Sequence, residues 1–189
     1  LLWIGTEGGG LNLFDRSNNV FREIGNNTIS IRSINEDKDG YLWVGTEGQG
    51  LFIINKKGEV LRNIKQNPDD SYSLSKDKIR HIFIDRNGLM WIGTRDGGVN
   101  RYNPRTIGSK LDSDTDVREI FQDSENNLWI GSDGGGLTWI DEISQDQKTF
   151  KQNNNPESIS SNQVYAITED HKGNLWVGTD GGGLNRLNR

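Results

Sequence analysis

Cysteine is absent from the sequence, and proline, methionine and histidine are rare. The lack of cysteine excludes a disulfide framework, a thiolate metal site and a cysteine nucleophile. No apolar run approaches the roughly 20 residues that a membrane-spanning helix needs. A net charge of −5 is unfavourable for binding a nucleic-acid backbone, which selects for a basic face.

Tryptophan and glycine are the residues that the chain has in quantity. Only 31% of the 189 residues are hydrophobic, so the core must be built from few large side chains. Six Trp residues, each able to bury about 150–250 Å², suit that need. The 24 Gly residues favour many tight turns between short elements. This composition indicates an all-β fold.

One short motif recurs five times at blade-like spacing. Units of about 40–50 residues with one tryptophan motif each are typical of propeller blades, in which a four-stranded sheet cannot bury its faces alone. The five copies are Leu2-Trp3-Ile4-Gly5-Thr6, Leu42-Trp43-Val44-Gly45-Thr46, Met90-Trp91-Ile92-Gly93-Thr94, Leu128-Trp129-Ile130-Gly131-Ser132 and Leu175-Trp176-Val177-Gly178-Thr179.

Within a unit we expect four antiparallel strands, A to D, joined as a meander. Strand A is apolar, as in 79–84, and an Asp-rich turn such as Asp85-Arg86-Asn87-Gly88 leads to the Trp motif in strand B. A Gly-rich turn, strand C, a weaker strand D and a polar linker follow. The third unit has little after Asn103-Pro104 that resembles a strand D.

The repeated Trp residues are interpreted as core packing between neighbouring blades. A Trp at one position in every blade stacks blade upon blade, and its replacement by Ala is expected to cost about 3–5 kcal/mol. Trp139 in strand C of the fourth copy has no counterpart in the other copies. We therefore expect it to be the exposed Trp and a candidate ligand contact.

The repeat resembles the two-component regulator propeller family, found in the sensor regions of bacterial hybrid two-component systems. The resemblance rests on the pattern Asp-x-x-Gly-x-Leu-Trp-Ile-Gly-Thr-x-Gly-Gly-Gly-Leu-Asn and on two similar linkers, 67–75 and 155–162. It implies a β-propeller of four-stranded antiparallel blades. Five blade units are expected at approximately 1–28, 29–77, 78–115, 116–162 and 163–189, with the first and last incomplete, as part of a larger propeller.

The resemblance also implies a function. It points to a ligand-sensing segment in the periplasm that recognises an oligosaccharide or other small polar ligand and passes the signal across the membrane in the parent sensor histidine kinase. Contact with a membrane is expected only through parent segments outside this chain, and no cofactor or metal is expected. The alternative is a non-catalytic protein-interaction or oligomerisation scaffold, with a homo-oligomer formed through propeller ends or edges.

Candidate ligand contacts are the residues that lie around the mouth of the propeller, where B–C turns and D–A linkers converge. The turns offer acidic residues and the irregular residues Gln49, Arg95 and Asp96, which break the pattern of the other copies. Other candidates are the polar linkers around Asn67, Asp77, Asp114 and Asn162, and the acidic turn residues Glu7, Glu47, Asp133 and Asp180.

Strand A supplies a second set of candidates at one equivalent position: Arg32, Arg80, Arg118 and Tyr165. Three guanidinium groups around a channel mouth could hold the carboxylate or sulfate of an anionic saccharide. The alternative is that each Arg packs its stem on a neighbouring blade and pairs with a local acid.

Catalysis finds little support in the residues. The acids recur in turns, where Asp accepts hydrogen bonds from its own backbone, and the two His residues fall in a strand and in an A–B turn. We therefore expect a chain that is not an enzyme.

Overall fold

The computed structural model describes residues 1–25, 28–103, 106–111, 115–141, 143–144 and 146–187. Within these ranges the chain forms strands, turns and bends but no helix, as the all-β expectation requires. It follows that none of the described residues belongs to a helix suited to crossing a bilayer.

Five antiparallel sheets follow one another along the chain, each in sequential strand order. The first holds β1 (Leu2–Gly5), β2 (Leu11–Asp15) and β3 (Val20–Ile24), and the second β4 (Ile31–Glu36), β5 (Leu42–Thr46), β6 (Leu51–Ile54) and β7 (Val60–Ile64). The third holds β8 (Ile79–Ile84), β9 (Met90–Thr94), β10 (Val99–Asn103) and β11 (Thr106–Leu111). The fourth holds β12 (Asp116–Gln122), β13 (Leu128–Asp133), β14 (Gly136–Ile140) and β15 (Gln147–Phe150), and the fifth β16 (Val164–Glu169), β17 (Leu175–Thr179) and β18 (Gly183–Leu187).

The sheets are propeller blades, and strand A is the innermost strand of each. Strands β4, β8, β12 and β16 contact one another from blade to blade, whereas β7, β11 and β15 lie at the outer edges. The described blades 2 to 4 have four strands, blade 1 has strands B to D, and blade 5 has strands A to C. The β-propeller fold class is therefore confirmed.

The prediction that the third blade has little that resembles a strand D was wrong. Strand β11 pairs with β10 from Val99 opposite Leu111 to Asn103 opposite Thr106, with one shift of register after Arg101. The pairing uses main-chain groups, which need no alternation of apolar side chains, so the residue pattern does not reveal this strand.

One aspartate holds each complete A–B turn together through hydrogen bonds to its carboxylate. In blade 3, Oδ1 of Asp85 accepts hydrogen bonds from the backbone N–H groups of Asn87 and Leu89, and Oδ2 accepts one from Nε1 of Trp91 at 2.8 Å. The other complete turns repeat the Asp–Trp bond at Asp37–Trp43, Asp123–Trp129 and Asp170–Trp176. The Asp six residues before each Trp thus closes the turn and satisfies the indole N–H.

The Thr or Ser that ends strand B closes the next turn. In blade 3, the hydroxyl of Thr94 donates a hydrogen bond to the carbonyl of Gly98 at 2.9 Å, and the other blades repeat this bond. Backbone bonds then connect the turn to the D–A linkers, for example from Gly50 to Asp77 and from Gly98 to Thr115. B–C turns and linkers therefore lie at one end of the propeller.

Blades are held together by a tight contact at the Gly of strand B. A Cβ at Gly45 would lie 2.5 Å from Cγ2 of Ile79, and one at Gly93 would lie 2.5 Å from Cγ1 of Val117. The side chain of the next strand A fills the space that the missing Cβ leaves. Trp43 of blade 2 packs beside this contact, in one cluster with Ile79.

We predict that Gly93→Ala destabilises the chain by about 1–3 kcal/mol, because the added methyl group overpacks the contact with Val117. Gly178→Ala is the matched control, since a Cβ there would meet only its own blade, at an ordinary 3.5 Å from Ala166. Urea denaturation followed by Trp fluorescence measures both. Equal losses in the two variants would contradict the contact as the cause.

Candidate functional site

Each strand A carries a β-bulge near its start, and the candidate residues of that strand occupy it. The register with strand B shifts between Ile31 and Ser33 in blade 2, and the same shift recurs in blades 3, 4 and 5. The residues within the shifts are Arg32, Arg80, Arg118 and Tyr165. Because a bulge re-aims a side chain, all four lie at the end of the propeller that holds the B–C turns.

These side chains form a continuous row of ion pairs and hydrogen bonds, here named the arginine ladder. Arg32 donates to Oε1 of Glu7 at 2.9 Å and to Oε2 of Glu47 at 2.8 Å. Arg80 bonds the same Oε2 of Glu47 at 3.0 Å and Oδ1 of Asp116 at 3.2 Å. Each guanidinium thus lies between two carboxylates of different blades.

The ladder continues to blade 5. Arg118 pairs with Oδ2 of Asp116 at 3.2 Å and with Asp133, and the Tyr165 hydroxyl donates to Oδ2 of Asp133 at 3.2 Å. The Arg118 guanidinium also lies 5.0 Å from the centre of the Tyr165 ring. An anion bound by these arginines would have to displace their carboxylates, so the geometry favours pairing with local acids, and anion binding stays a prediction.

The ladder shifts the pKa values of its carboxylates downward. Burial alone would raise the pKa of Glu47, but the hydrogen bond from Arg32 and the charges of Arg80, Arg32 and Arg95 outweigh it and lower that pKa below 4.5. The hydrogen bond from Arg118 lowers the pKa of Asp133 below 3.8, against the effect of burial. Both carboxylates are therefore held in the charged form.

The B–C turn of blade 3 lacks the acid at the position where the other blades have one, and an acid of blade 4 takes its place. Arg95 stands where the other B–C turns have Glu or Asp, and Asp116 supplies an acid at the start of the next strand A. The distances from Arg95 to Glu47, Asp96 and Asp116 are 3.6, 3.7 and 4.0 Å, longer than those in the rest of the ladder. With 42% of its side chain exposed, Arg95 is the loosely held guanidinium of the mouth.

Asp96 adopts a conformation that the other blades reserve for Gly. Its φ is 57°, in the left-handed region, and the equivalent residues Gly8, Gly48, Gly134 and Gly181 also have positive φ. A residue with a Cβ is strained there, although Asp tolerates the region better than most. Its carboxylate is 72% exposed beside Arg95. Strain at an exposed polar side chain points to a role outside the fold.

The remaining predicted contacts are distributed differently. Gln49 is exposed in the B–C turn of blade 2, and its backbone N–H donates to the hydroxyl of Thr46. Trp139 is half-buried, as Trp3 and Trp176 are, and it packs against the cluster around Trp129. The expected exposure of Trp139 was wrong, because it lies directly opposite Trp129 on the neighbouring strand and so shares its packed face.

The linker candidates serve mainly the linkers themselves. Oδ1 of Asp77 accepts a hydrogen bond from the backbone N–H of Gln66, and Oδ1 of Asn162 accepts one from that of Gln152. Asn67 takes part in a similar turn, and Asp114 lies outside the described residues. Asp180 is exposed in the last B–C turn.

The two histidines occupy separate places. Nδ1 of His81, on β8, lies 3.5 Å from Oε2 of Glu119 on β12, whereas His171 is exposed in the A–B turn of blade 5. Asp116 and Glu119 were not among the residues expected at the site. Arg95 stands where the other B–C turns have Glu or Asp. This difference was the sequence feature that could have pointed to an acid elsewhere that balances the charge of the arginines, such as Asp116.

Comparison with protein families gives one matching description, the two component regulator propeller, at residues 24–48, 73–96, 111–134 and 158–181. These stretches cover just over half of the chain, and each spans a strand A, its Asp turn and the Trp motif. A comparison of the sequence with curated proteins finds no match.

Several solved structures share the fold. The extracellular domain of a putative hybrid two component system from B. thetaiotaomicron is 23% identical, with a TM-score of 0.72 over 98% of this chain and 31% of that one. PorZ, a surface component of the type-IX secretion system of Porphyromonas gingivalis, is 19% identical, with a TM-score of 0.75 over 96% and 30%. This chain spans less than a third of either structure.

An enzyme is also similar in fold. Virginiamycin B lyase from Staphylococcus aureus is 18% identical, with a TM-score of 0.69 over 98% of this chain and 65% of the lyase. At these identities the likeness concerns the fold alone, because propellers serve many unrelated functions.

We predict that the stability of the chain falls as the pH drops below the ordinary carboxyl pKa values of 4.5 and 3.8. The folded pKa values of Glu47 and Asp133 are lowered, so the native state binds fewer protons than the unfolded chain, and the stabilisation is lost as these groups protonate. Urea denaturation at several pH values between 7 and 3 measures this dependence.

Arg118→Gln should lower the free energy of unfolding at pH 7 by about 1–2 kcal/mol and make its fall towards pH 3 shallower. The exposed residue Lys57, in the C–D turn of blade 2, provides the control variant Lys57→Gln, which should follow the parent chain. A slope in Arg118→Gln equal to that of the parent would show that the ladder does not set the acid sensitivity.

Proposed function

The chain belongs to the two-component regulator propeller family, and from that premise we propose that it is the ligand-sensing propeller segment of a periplasmic sensor in a hybrid two-component system. The ligand that we propose is an oligosaccharide, bound at the mouth formed by the B–C turns. In the parent protein, a sensor histidine kinase, binding is passed across the membrane. The segment itself carries no catalysis in this proposal.

The pair Arg95 and Asp96 is the observation that supports this proposal best. A loosely held guanidinium and an exposed carboxylate stand side by side in a turn where the other blades have an acid and a Gly. Such a pair can donate to one hydroxyl group and accept from the next, which suits the vicinal hydroxyl groups of a sugar. The exposed side chain of Gln49, in the neighbouring turn, adds a donor and an acceptor.

The remainder of the mouth favours a rigid platform for such a ligand. The ladder fixes the side chains of blades 1 to 5, and hydroxyl groups close the B–C turns beside it. A preorganised site loses less conformational entropy when a ligand binds. The irregular residues are therefore presented by a scaffold that need not reorganise.

A second candidate function is a non-catalytic interaction or oligomerisation scaffold, and one surface favours it. The outer strands β3 and β7 expose the apolar side chains Val20, Phe21, Val60 and Leu61 at equivalent places of blades 1 and 2. Exposed apolar residues on edge strands are suited to pairing with another chain.

We predict that an oligosaccharide raises the thermal midpoint of the chain, and that Arg95→Ala and Asp96→Gly abolish the rise. A ligand that binds the native state alone stabilises it by about 2.7 kcal/mol at 100 times its Kd. Asp96→Gly should leave the midpoint without ligand unchanged or higher, because relief of the left-handed strain offsets the greater freedom of an unfolded Gly.

Differential scanning fluorimetry against a panel of neutral and acidic oligosaccharides measures the shift, with Lys57→Ala at the opposite end as control. The sensor proposal fails if no saccharide moves the midpoint of the unaltered chain. Sedimentation of the unaltered chain and of Phe21→Ser as a concentration series then tests the scaffold, which requires self-association that Phe21→Ser weakens.

A further inference from the structure

Two grooves lie at equivalent places between blades, each beneath a D–A linker. Groove 2/3, between blades 2 and 3, has a volume of 210 Å³, and groove 4/5, between blades 4 and 5, has a volume of 710 Å³. A strand D and the linker of one blade form one wall of each groove, and strand C of the next blade forms the other. Groove 2/3 shares Asn67 with the candidate contacts described above, and the other residues that line the two grooves lie outside that set.

The linkers over both grooves are fixed by their own side chains. The hydroxyl of Ser73 accepts a hydrogen bond from the backbone N–H of Asn67 at 2.9 Å and donates one to the carbonyl of Asn67 at 2.7 Å. The hydroxyl of Ser158 forms the same two hydrogen bonds with the backbone of Asn153. Oδ1 of Asp70 accepts from the backbone N–H of Tyr72 at 2.9 Å. The linker therefore presents Tyr72 from a rigid loop.

Each linker is also anchored to the next blade. Oδ1 of Asn100 accepts from the backbone N–H of Ser75 at 2.9 Å, and its amide donates to the Ser75 hydroxyl at 2.8 Å. Asn185 and Ser160 repeat both bonds over groove 4/5. The shared linker motif thus serves architecture, and a difference in function must come from residues outside the motif.

The grooves differ in their aromatic side chains. Tyr72 immediately precedes Ser73 in groove 2/3, where Glu157 precedes Ser158 in groove 4/5. Tyr102 of strand C lines groove 2/3, at the place where groove 4/5 has Leu187. Groove 2/3 therefore has two Tyr side chains where groove 4/5 has Glu157 and Leu187, and the aromatic residue that lines groove 4/5 is Phe150, which carries no hydroxyl group.

The polar groups of groove 2/3 are not used by the fold. Tyr72 is 62% exposed, and neither its hydroxyl nor that of Tyr102 has a hydrogen bond to any described residue. Arg62, on β7, has no ion pair with a described acid. The ring of Tyr102 is held in place by Trp43, with 5.2 Å between ring centres.

We propose that groove 2/3 binds one sugar ring of an acidic oligosaccharide. Tyr72 and Tyr102 offer amphipathic rings, whose faces suit the C–H face of a pyranose and whose hydroxyl groups suit its polar edge. Arg62 donates to ring hydroxyl groups, and the second carboxylate oxygen of Asp70 accepts from them. Arg62, Lys65 and Arg101 line the groove with one carboxylate, that of Asp70, so its net positive charge favours a sugar ring that carries a carboxylate.

The size of the groove agrees with a single ring. Pockets that enclose drug-sized ligands occupy about 300–1,000 Å³, and groove 2/3 is smaller and open to solvent along its rim. The remaining rings of an oligosaccharide would extend out of it. This inference rests on the proposed function, since it names a second place that holds the same class of ligand.

Isothermal titration calorimetry on the 189-residue chain tests the inference. The probes are the neutral tetramers of glucose, mannose and xylose, with the galacturonate tetramer as the acidic arm. The variants are Tyr72→Ala, Tyr72→Phe and, in groove 4/5, Glu157→Ala. Tyr72 and Glu157 are both exposed, so neither substitution should disturb the fold.

The galacturonate tetramer should bind, Tyr72→Ala should weaken it at least tenfold, and Tyr72→Phe should retain most of the affinity because the ring remains. Glu157→Ala should match the unaltered chain. An unchanged affinity in Tyr72→Ala would overturn the proposal that groove 2/3 binds the saccharide. If Asp96→Gly then abolished the same binding, the saccharide would bind at the mouth. Binding of the neutral tetramers alone would overturn the acidic ligand, and binding of none would overturn both proposals.

Discussion

The contact between the strand B glycine of one blade and the strand A side chain of the next is the constraint on which the rest of the structure depends. A blade has two apolar faces and cannot bury them alone. Because Gly45 lacks a side chain, Ile79 approaches its backbone closely and brings strand A of blade 3 against blade 2. The Trp beside this contact then closes the interface, as Trp43 does in the cluster with Ile79.

That close approach also determines where the charged side chains meet. Strand A begins beside the B–C turn of the preceding blade, and in blades 2, 3 and 5 its bulge turns one side chain towards an acid of that turn. Arg80 therefore reaches Glu47, which belongs to blade 2, as well as Asp116 of blade 4. The ladder is a consequence of blade packing, and its charges are balanced within the propeller.

Much of the fold could be predicted from the sequence, because its main determinants repeat. The Trp motif and its Gly recur five times and the Asp six residues before the Trp recurs four times, and each performs one local task, so the pattern is unmistakable. The bulge could not be predicted in this way, since an extra residue in strand A leaves the alternation of apolar residues nearly intact. Trp139 was misjudged because its burial depends on Trp129 across the sheet, a partner that no repeat reveals.

Repetition is also what separates architecture from candidate binding residues at the two proposed places. Positions that recur, such as Arg32 with Arg80 and Asn100 with Asn185, have partners within the fold. Asp96 stands where the other blades have Gly, and Tyr72 stands where the equivalent linker has Glu157. The side chains of Asp96 and Tyr72 are both exposed.

The two places differ in what a ligand must do to bind. At the mouth, a hydroxyl group has to exchange with the existing contacts of Arg95, and an exchange of hydrogen bonds yields little net free energy but discriminates between geometries. In groove 2/3 the hydroxyl groups of Tyr72 and Tyr102 have no described partner to lose, and their rings add apolar contact. Affinity is therefore expected from the groove and selectivity from the mouth.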